Sequence, residues 1–94
     1  MNIPNNLTSE NSLFVDVRDP EEFVSAHDER SVNISMAQIF AGKLDEIKNS
    51  KKENIVFVCA SGGRSELAKI IVQEKILEKN MYNLYAWENL ENVK

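Results

Sequence analysis

The sequence predicts an α/β domain built on a largely parallel sheet. Its 94 residues suffice for one hydrophobic core. Short apolar runs rich in β-branched residues alternate with amphipathic segments, which is typical of strands connected by helices. The strongest strand candidate, Ile55–Cys59, is apolar at every position, as are strands that are covered on both faces. We therefore expect a single domain over residues 1–94, with about four to five strands, helices on both faces of the sheet, and an irregular segment over residues 1–11.

The first half of the chain predicts two strands and two helical segments. Leu13–Val17 is a short buried strand candidate, and Ser31–Ser35 alternates as a second one. Between them, an acidic cap and a proline predict a helix over residues 20–27. Apolar residues three and four positions apart predict a helix over Met36–Lys48, which we expect Gly42 to interrupt.

The second half predicts the strand Ile55–Cys59, a tight loop and a longer helix. Apolar residues form one broad face over Ser65–Glu78, which favours an amphipathic helix. Met81–Leu84 is expected to be a last short strand, and Ala86–Val93 a closing helix.

Composition and charge exclude several classes of protein. The net charge of −4 lacks the basic footprint of a nucleic-acid-binding protein. No apolar run approaches the ~20 residues that span a bilayer, so no membrane association is expected, and the first residues show no signal peptide. One cysteine and one histidine give neither an internal disulfide nor a zinc site. The expected location is the cytoplasm.

The segment from Cys59 to Ser65 carries the strongest chemical signal. A cysteine ends a buried strand, a loop of small residues follows, and a helix then begins. Backbone N–H groups of such a loop, together with the helix N-terminus, form an anion cradle that favours a thiolate. Arg64 adds a positive charge that either reaches an oxyanion or braces the loop. A cysteine that only fills the core would not need this loop, so a reactive role is favoured.

Two stretches of the chain resemble the rhodanese family. Phe14–Phe23 (FVDVRDPEEF) is similar to the first signature of that family, and His27 and Val32–Ile34 match the positions that follow. Ile55–Ser65 (IVFVCASGGRS) is similar to the active-site strand and loop. The resemblance covers roughly residues 13–84.

The resemblance implies a sulfurtransferase. In that family the loop cysteine, here Cys59, takes sulfane sulfur from thiosulfate or polysulfide and becomes a persulfide. It then passes the sulfur to cyanide, to a thiol or to a partner protein. No metal and no organic cofactor are implied. The residues that would bind the anion are those of the loop: Ala60, Ser61, Gly62, Gly63, Arg64 and Ser65.

The resemblance also bears on the donor. Mitochondrial-type thiosulfate enzymes carry basic side chains where this chain has Ala60 and Ser61. Polysulfide or a protein persulfide is therefore an alternative donor. Arg64 follows Cys59 by five positions. Related phosphatases have a loop that is one residue longer, which favours sulfur chemistry here.

Outside the loop, three polar residues are candidates for a structural role or for a supporting role at the site. Asp16 and Arg18 follow the first strand, where they either form an ion pair that holds the first helix or support the Cys59 loop. His27 has no evident carboxylate or cysteine partner for proton transfer and is expected to be structural.

Two departures from the family pattern leave other functions open. The family's apolar turn after the histidine is replaced by the charged Asp28–Arg30, and its glycine pair near the end by Leu84–Trp87. The main alternative is a non-enzymatic binding or regulatory module that contacts a partner through Asp28–Arg30. A phosphatase or arsenate reductase is a second alternative. A redox sensor is a third, and it would need an external thiol because the chain has one cysteine.

Overall fold

The computed structural model describes residues 2–94 and contains a four-stranded sheet in the order β2-β1-β3-β4. Every neighbouring pair of strands is parallel, which confirms the predicted fold class. The elements are β1 (Ser12–Asp16), α1 (Pro20–Ser25), β2 (Ser31–Asn33), α2 (Met36–Phe40), α3 (Asp45–Asn49), β3 (Asn54–Cys59), α4 (Gly63–Lys75), β4 (Asn80–Ala86) and a 3-10 helix (Trp87–Asn92).

Strand β3 lies in the middle of the sheet and contributes to both halves of the core. Its side chains alternate: Ile55, Phe57 and Cys59 pack with buried residues of α2, α3 and α4, whereas Val56 and Val58 pack with the 3-10 helix. All six residues of β3 are buried. The alternation places the Cys59 side chain on the face that α4 covers.

Glycines decide where the helices end and begin. Gly42 has a φ of 74°, and the amphipathic segment is divided there into α2 and α3, as predicted. Gly62 has a φ of 105° and turns the chain so sharply that α4 begins at Gly63, two residues earlier than expected. No helix within residues 2–94 is both long and apolar enough to cross a membrane.

The charged turn Asp28–Arg30 is tied to the C-terminal segment. The Arg30 guanidinium forms a fork with the Asp28 carboxylate, and it donates hydrogen bonds to the carbonyl oxygens of Leu90 (2.6 Å) and Val93 (2.8 Å). A further bond reaches Ser9 Oγ at 2.6 Å. The side chain that distinguishes this turn from the family pattern therefore joins the two ends of the chain.

Arg30→Ala is expected to destabilise the fold by about 1–3 kcal/mol, because it leaves partly buried carbonyl groups without donors. Urea unfolding measures the effect, with Glu29→Ala, an exposed neighbour, as the matched control.

The Arg30 guanidinium lowers the pKa of Asp28. The stabilisation from this pair is therefore present above the usual carboxyl pKa and is lost as the pH falls through the lowered value. Equal unfolding midpoints for Arg30→Ala and Glu29→Ala would contradict the predicted destabilisation by loss of Arg30.

Candidate functional site

Cys59 lies at the carboxyl end of β3, where the chain turns into α4. Its Sγ atom accepts hydrogen bonds from the amides of Gly62 (3.0 Å) and Ser65 (3.4 Å), and it lies 3.3 Å from Ser65 Oγ. The residue is 1% exposed. Gly62 and Ser65 are buried with it, whereas Ala60 and Ser61 are exposed on the rim. The rim of the loop beside the sulfur is therefore uncharged.

The loop changes the acidity of the Cys59 thiol. Burial alone raises the pKa of this group. The Ser65 hydroxyl and the amides of Ser65, Gly62 and Ser61 stabilise the thiolate more strongly, so the pKa lies below its ordinary value. A lowered pKa increases the fraction of nucleophilic thiolate near neutral pH.

Tyr85 packs directly on the loop. A Cβ atom at Gly62 would lie 2.4 Å from Tyr85 Cδ1, closer than any side-chain contact allows. Tyr85 itself has a φ of 67°, a conformation that is unusual for an aromatic residue. Its ring is 48% exposed at the rim. This residue lies where the sequence lacks the family's glycine pair, and it shows how the closing turn is built here.

Asn83 connects β4 to the same loop, although no sequence motif distinguishes this residue. Its Oδ1 atom accepts from Ser65 Oγ (2.7 Å) and from the Tyr85 amide (2.9 Å). Its Nδ2 atom donates to the Gly62 carbonyl (3.3 Å) and to Glu66 Oε1 (3.1 Å). Asn83 therefore contacts both residues whose amides donate to Sγ.

Arg64 is paired with a carboxylate from another element. Its two terminal nitrogens lie 2.7 and 3.1 Å from the carboxylate oxygens of Glu22 in α1. Glu22 also accepts from the Asp19 amide at the start of that helix. The hydrogen bonds from Arg64 and Asp19 lower the pKa of Glu22 to about 2. In this structure Arg64 braces the loop against α1, and the positive charge beside Cys59 is balanced by a negative one.

Asp16 and Arg18 form a buried ion pair away from the sulfur. The guanidinium of Arg18 contacts both oxygens of Asp16, and it donates to the carbonyl oxygens of Glu22 (3.4 Å) and Ala26 (2.7 Å). It also lies 4.8 Å from the ring centroid of Trp87. The pair fixes the end of α1 and so contributes to the site through the position of Glu22.

His27 also has an internal partner. Its Nδ1 atom lies 2.6 Å from the carbonyl oxygen of Phe23, and the two rings stack with centroids 3.8 Å apart. Both contacts join His27, which follows α1, to Phe23 within that helix. The arrangement is that of a side chain that closes the end of a helix.

Comparison with known proteins identifies the family. A family model described as a rhodanese-like domain matches residues 3–89. The chain belongs to the rhodanese-like domain family. A search of curated proteins finds no match.

Solved structures share the rhodanese fold with this chain. A rhodanese with anions from E. coli is 20% identical with a TM-score of 0.69, and the match covers 83% of this chain and 89% of that one. A human single-domain sulfurtransferase is 18% identical with a TM-score of 0.68, and the match covers 92% and 86% of the two chains. At these identities the likeness confirms the fold of this rhodanese-like domain alone.

Proposed function

We propose that this rhodanese-like domain is a sulfurtransferase in which Cys59 carries the sulfur as a persulfide. The observation that carries the proposal is the geometry around Sγ: two amide N–H groups and one hydroxyl converge on a buried sulfur at the end of a strand. These groups stabilise a thiolate before the reaction. They are also placed to stabilise negative charge near Sγ during it.

The proposed transfer is a pair of balanced displacements. In the first, the Cys59 thiolate attacks the outer sulfur of a persulfide R–S–SH. A bond forms between Sγ and that sulfur, the donor's S–S bond breaks, and the electron pair leaves on RS⁻. In the second, an acceptor thiolate attacks the carried sulfur and Cys59 regains its thiolate. Neither step needs an external oxidant or reductant.

Charges at the site favour a persulfide or polysulfide donor over thiosulfate. Thiosulfate is a compact dianion, and its binding would gain from an unpaired cation beside Sγ. Arg64 is held by the Glu22 carboxylate, and the exposed loop residues Ala60 and Ser61 bear no charge. The loop amides remain as donors, and they suit a single developing negative charge.

Intact-mass spectrometry of the reduced protein tests the proposal. The protein is exposed briefly to thiosulfate or, separately, to polysulfide, with Cys59→Ser treated in parallel. We expect a gain of one sulfur atom, larger with polysulfide, that is absent from the variant and removed by cyanide. A folded protein with a free Cys59 thiol that gains no sulfur from either donor would refute the proposal and favour a binding module.

A further inference from the structure

All four hydrogen-bonding positions of the Asn83 amide are occupied within the protein. The orientation of this amide is fixed by the backbone of Tyr85, whose N–H can only donate and lies 2.9 Å from Oδ1. Nδ2 must then face the Gly62 carbonyl and the Glu66 carboxylate. Since an amide has two acceptor and two donor positions, no capacity is left for a substrate.

Two of these four bonds reach the residues that donate to Cys59. Nδ2 holds the carbonyl group of Gly62, a residue in the left-handed conformation whose own amide lies 3.0 Å from Sγ. Oδ1 holds the hydroxyl of Ser65, whose amide is the second donor. The Gly62 carbonyl also accepts a hydrogen bond from the Glu66 amide (3.0 Å) within α4, and the bond from Asn83 adds a restraint from the neighbouring strand.

We propose that Asn83 is a positioning residue for the reaction: from β4 it holds Gly62 and Ser65 so that their amide N–H groups point at the sulfur of Cys59. The inference rests on the proposed sulfur transfer for its purpose. The hydrogen bonds of Asn83, however, are present in the resting protein, so the proposed positioning can be tested without a sulfur donor.

The Ser65 hydroxyl has one proton to donate and three acceptors within reach, so a change at Asn83 can redirect this hydrogen bond. Asn83 Oδ1 lies nearest at 2.7 Å, followed by the Gly62 carbonyl at 3.2 Å and Cys59 Sγ at 3.3 Å. Removal of Asn83 would also release this proton toward the thiolate, which acts against the loss of positioning. A Ser65→Ala background removes that second effect, together with the Asn83–Ser65 bond, and leaves the amide donors in place, so the comparison measures the hold of Asn83 on Gly62.

The deciding experiment compares Ser65→Ala with Ser65→Ala/Asn83→Ala. Cys59 is the chain's one cysteine, so the pH dependence of alkylation by iodoacetamide reports its pKa directly. We expect the Asn83→Ala change to raise that pKa by about one unit. The matched control is Asn80→Ala in the same background, an asparagine at the other end of β4 that bonds to Asn54. An unchanged or lower pKa, or an equal rise in the control, would overturn the proposal.

Hydrogen exchange supplies a second measurement on the single variant Asn83→Ala, should the double variant fail to fold. We expect the amides of Gly62 and Ser65 to exchange at least about tenfold faster, while those of β3 keep their rates. Unchanged exchange at both amides would contradict the inference. Both readouts are independent of persulfide formation. A wild-type protein that gains no sulfur would refute the proposed function, and these measurements would still decide the role of Asn83.

Discussion

Gly62→Ala is expected to abolish sulfur loading of Cys59, whereas Gly63→Ala leaves it nearly unchanged. The two glycines are adjacent but differ in what surrounds them. A Cβ atom at Gly62 would meet the ring of Tyr85 at 2.4 Å, and the φ of 105° adds strain of about 1–2 kcal/mol for any other residue. At Gly63 no heavy atom lies within 4 Å of the added carbon. Only the first substitution moves an amide that donates to Sγ.

The measurement is the rate of persulfide formation in both variants by intact mass, with circular dichroism to show that each is folded. Gly62→Ala/Tyr85→Ala separates the two causes, because it removes the clash with the ring and keeps the backbone strain. We expect it to recover part of the lost rate. Equal rates in Gly62→Ala and Gly63→Ala would show that the conformation of the loop does not limit the reaction.

Substitutions in the Arg64–Glu22 pair are also expected to change the rate of sulfur loading strongly. Arg64→Ala removes a positive charge from the loop and leaves the Glu22 carboxylate without its partner, so it is expected to lower the loading rate with the dianion thiosulfate by on the order of 10-fold. Glu22→Gln is expected to act in the opposite direction, because it frees the guanidinium for an anionic donor. Alkylation of Cys59 by iodoacetamide, a neutral reagent, should respond less to either change.

The ratio of the rate of sulfur loading from thiosulfate to the rate of alkylation by iodoacetamide measures this effect in each variant. Lys69→Ala is the control, because it removes a positive charge from α4 that lies 3.9 Å from Glu66 rather than in the Glu22 pair. A ratio that falls in Glu22→Gln would contradict the argument.

The pH dependence of the pair follows from the lowered pKa of Glu22. With a pKa of about 2 against an ordinary 4.5, Glu22 stays charged near neutral pH, where sulfur loading would be assayed. The stability that the pair contributes is present above the ordinary value and is lost as the pH falls toward 2. Since both side chains are more than one third exposed, solvent screening limits that contribution to about 0–1 kcal/mol.

The strand, loop and helix around Cys59 could be predicted because their signals are local. The apolar run before the cysteine, the glycine pair and the apolar face of α4 lie within about 20 consecutive residues. The start of α4 was misplaced by two residues, since the sequence does not tell which of Gly62 and Gly63 takes the left-handed conformation. The helix also ends at Lys75, before the predicted Glu78, and Leu77 beyond that end is 81% exposed.

The partners of the loop could not be predicted because they come from distant elements. Glu22 is 42 residues from Arg64, and Asn83 is 18 residues from Ser65. Each pairing depends on the order of strands in the sheet and on the tilt of α1. Neither leaves a periodic or compositional trace in the sequence. The turn at Tyr85 could not be predicted either, because tyrosine is not a residue type that indicates a positive φ.

The depth of Cys59 imposes the same geometry on both halves of the proposed transfer. With the residue 1% exposed, a donor must present its outer sulfur to a recessed atom. The carried sulfur lies one S–S bond, about 2.05 Å, from Sγ. Delivery to a thiol is the reverse of loading from a persulfide, so both steps pass through three sulfur atoms in one line. The surroundings of Sγ would therefore select donors and acceptors alike, by the width of the group that bears the reacting sulfur.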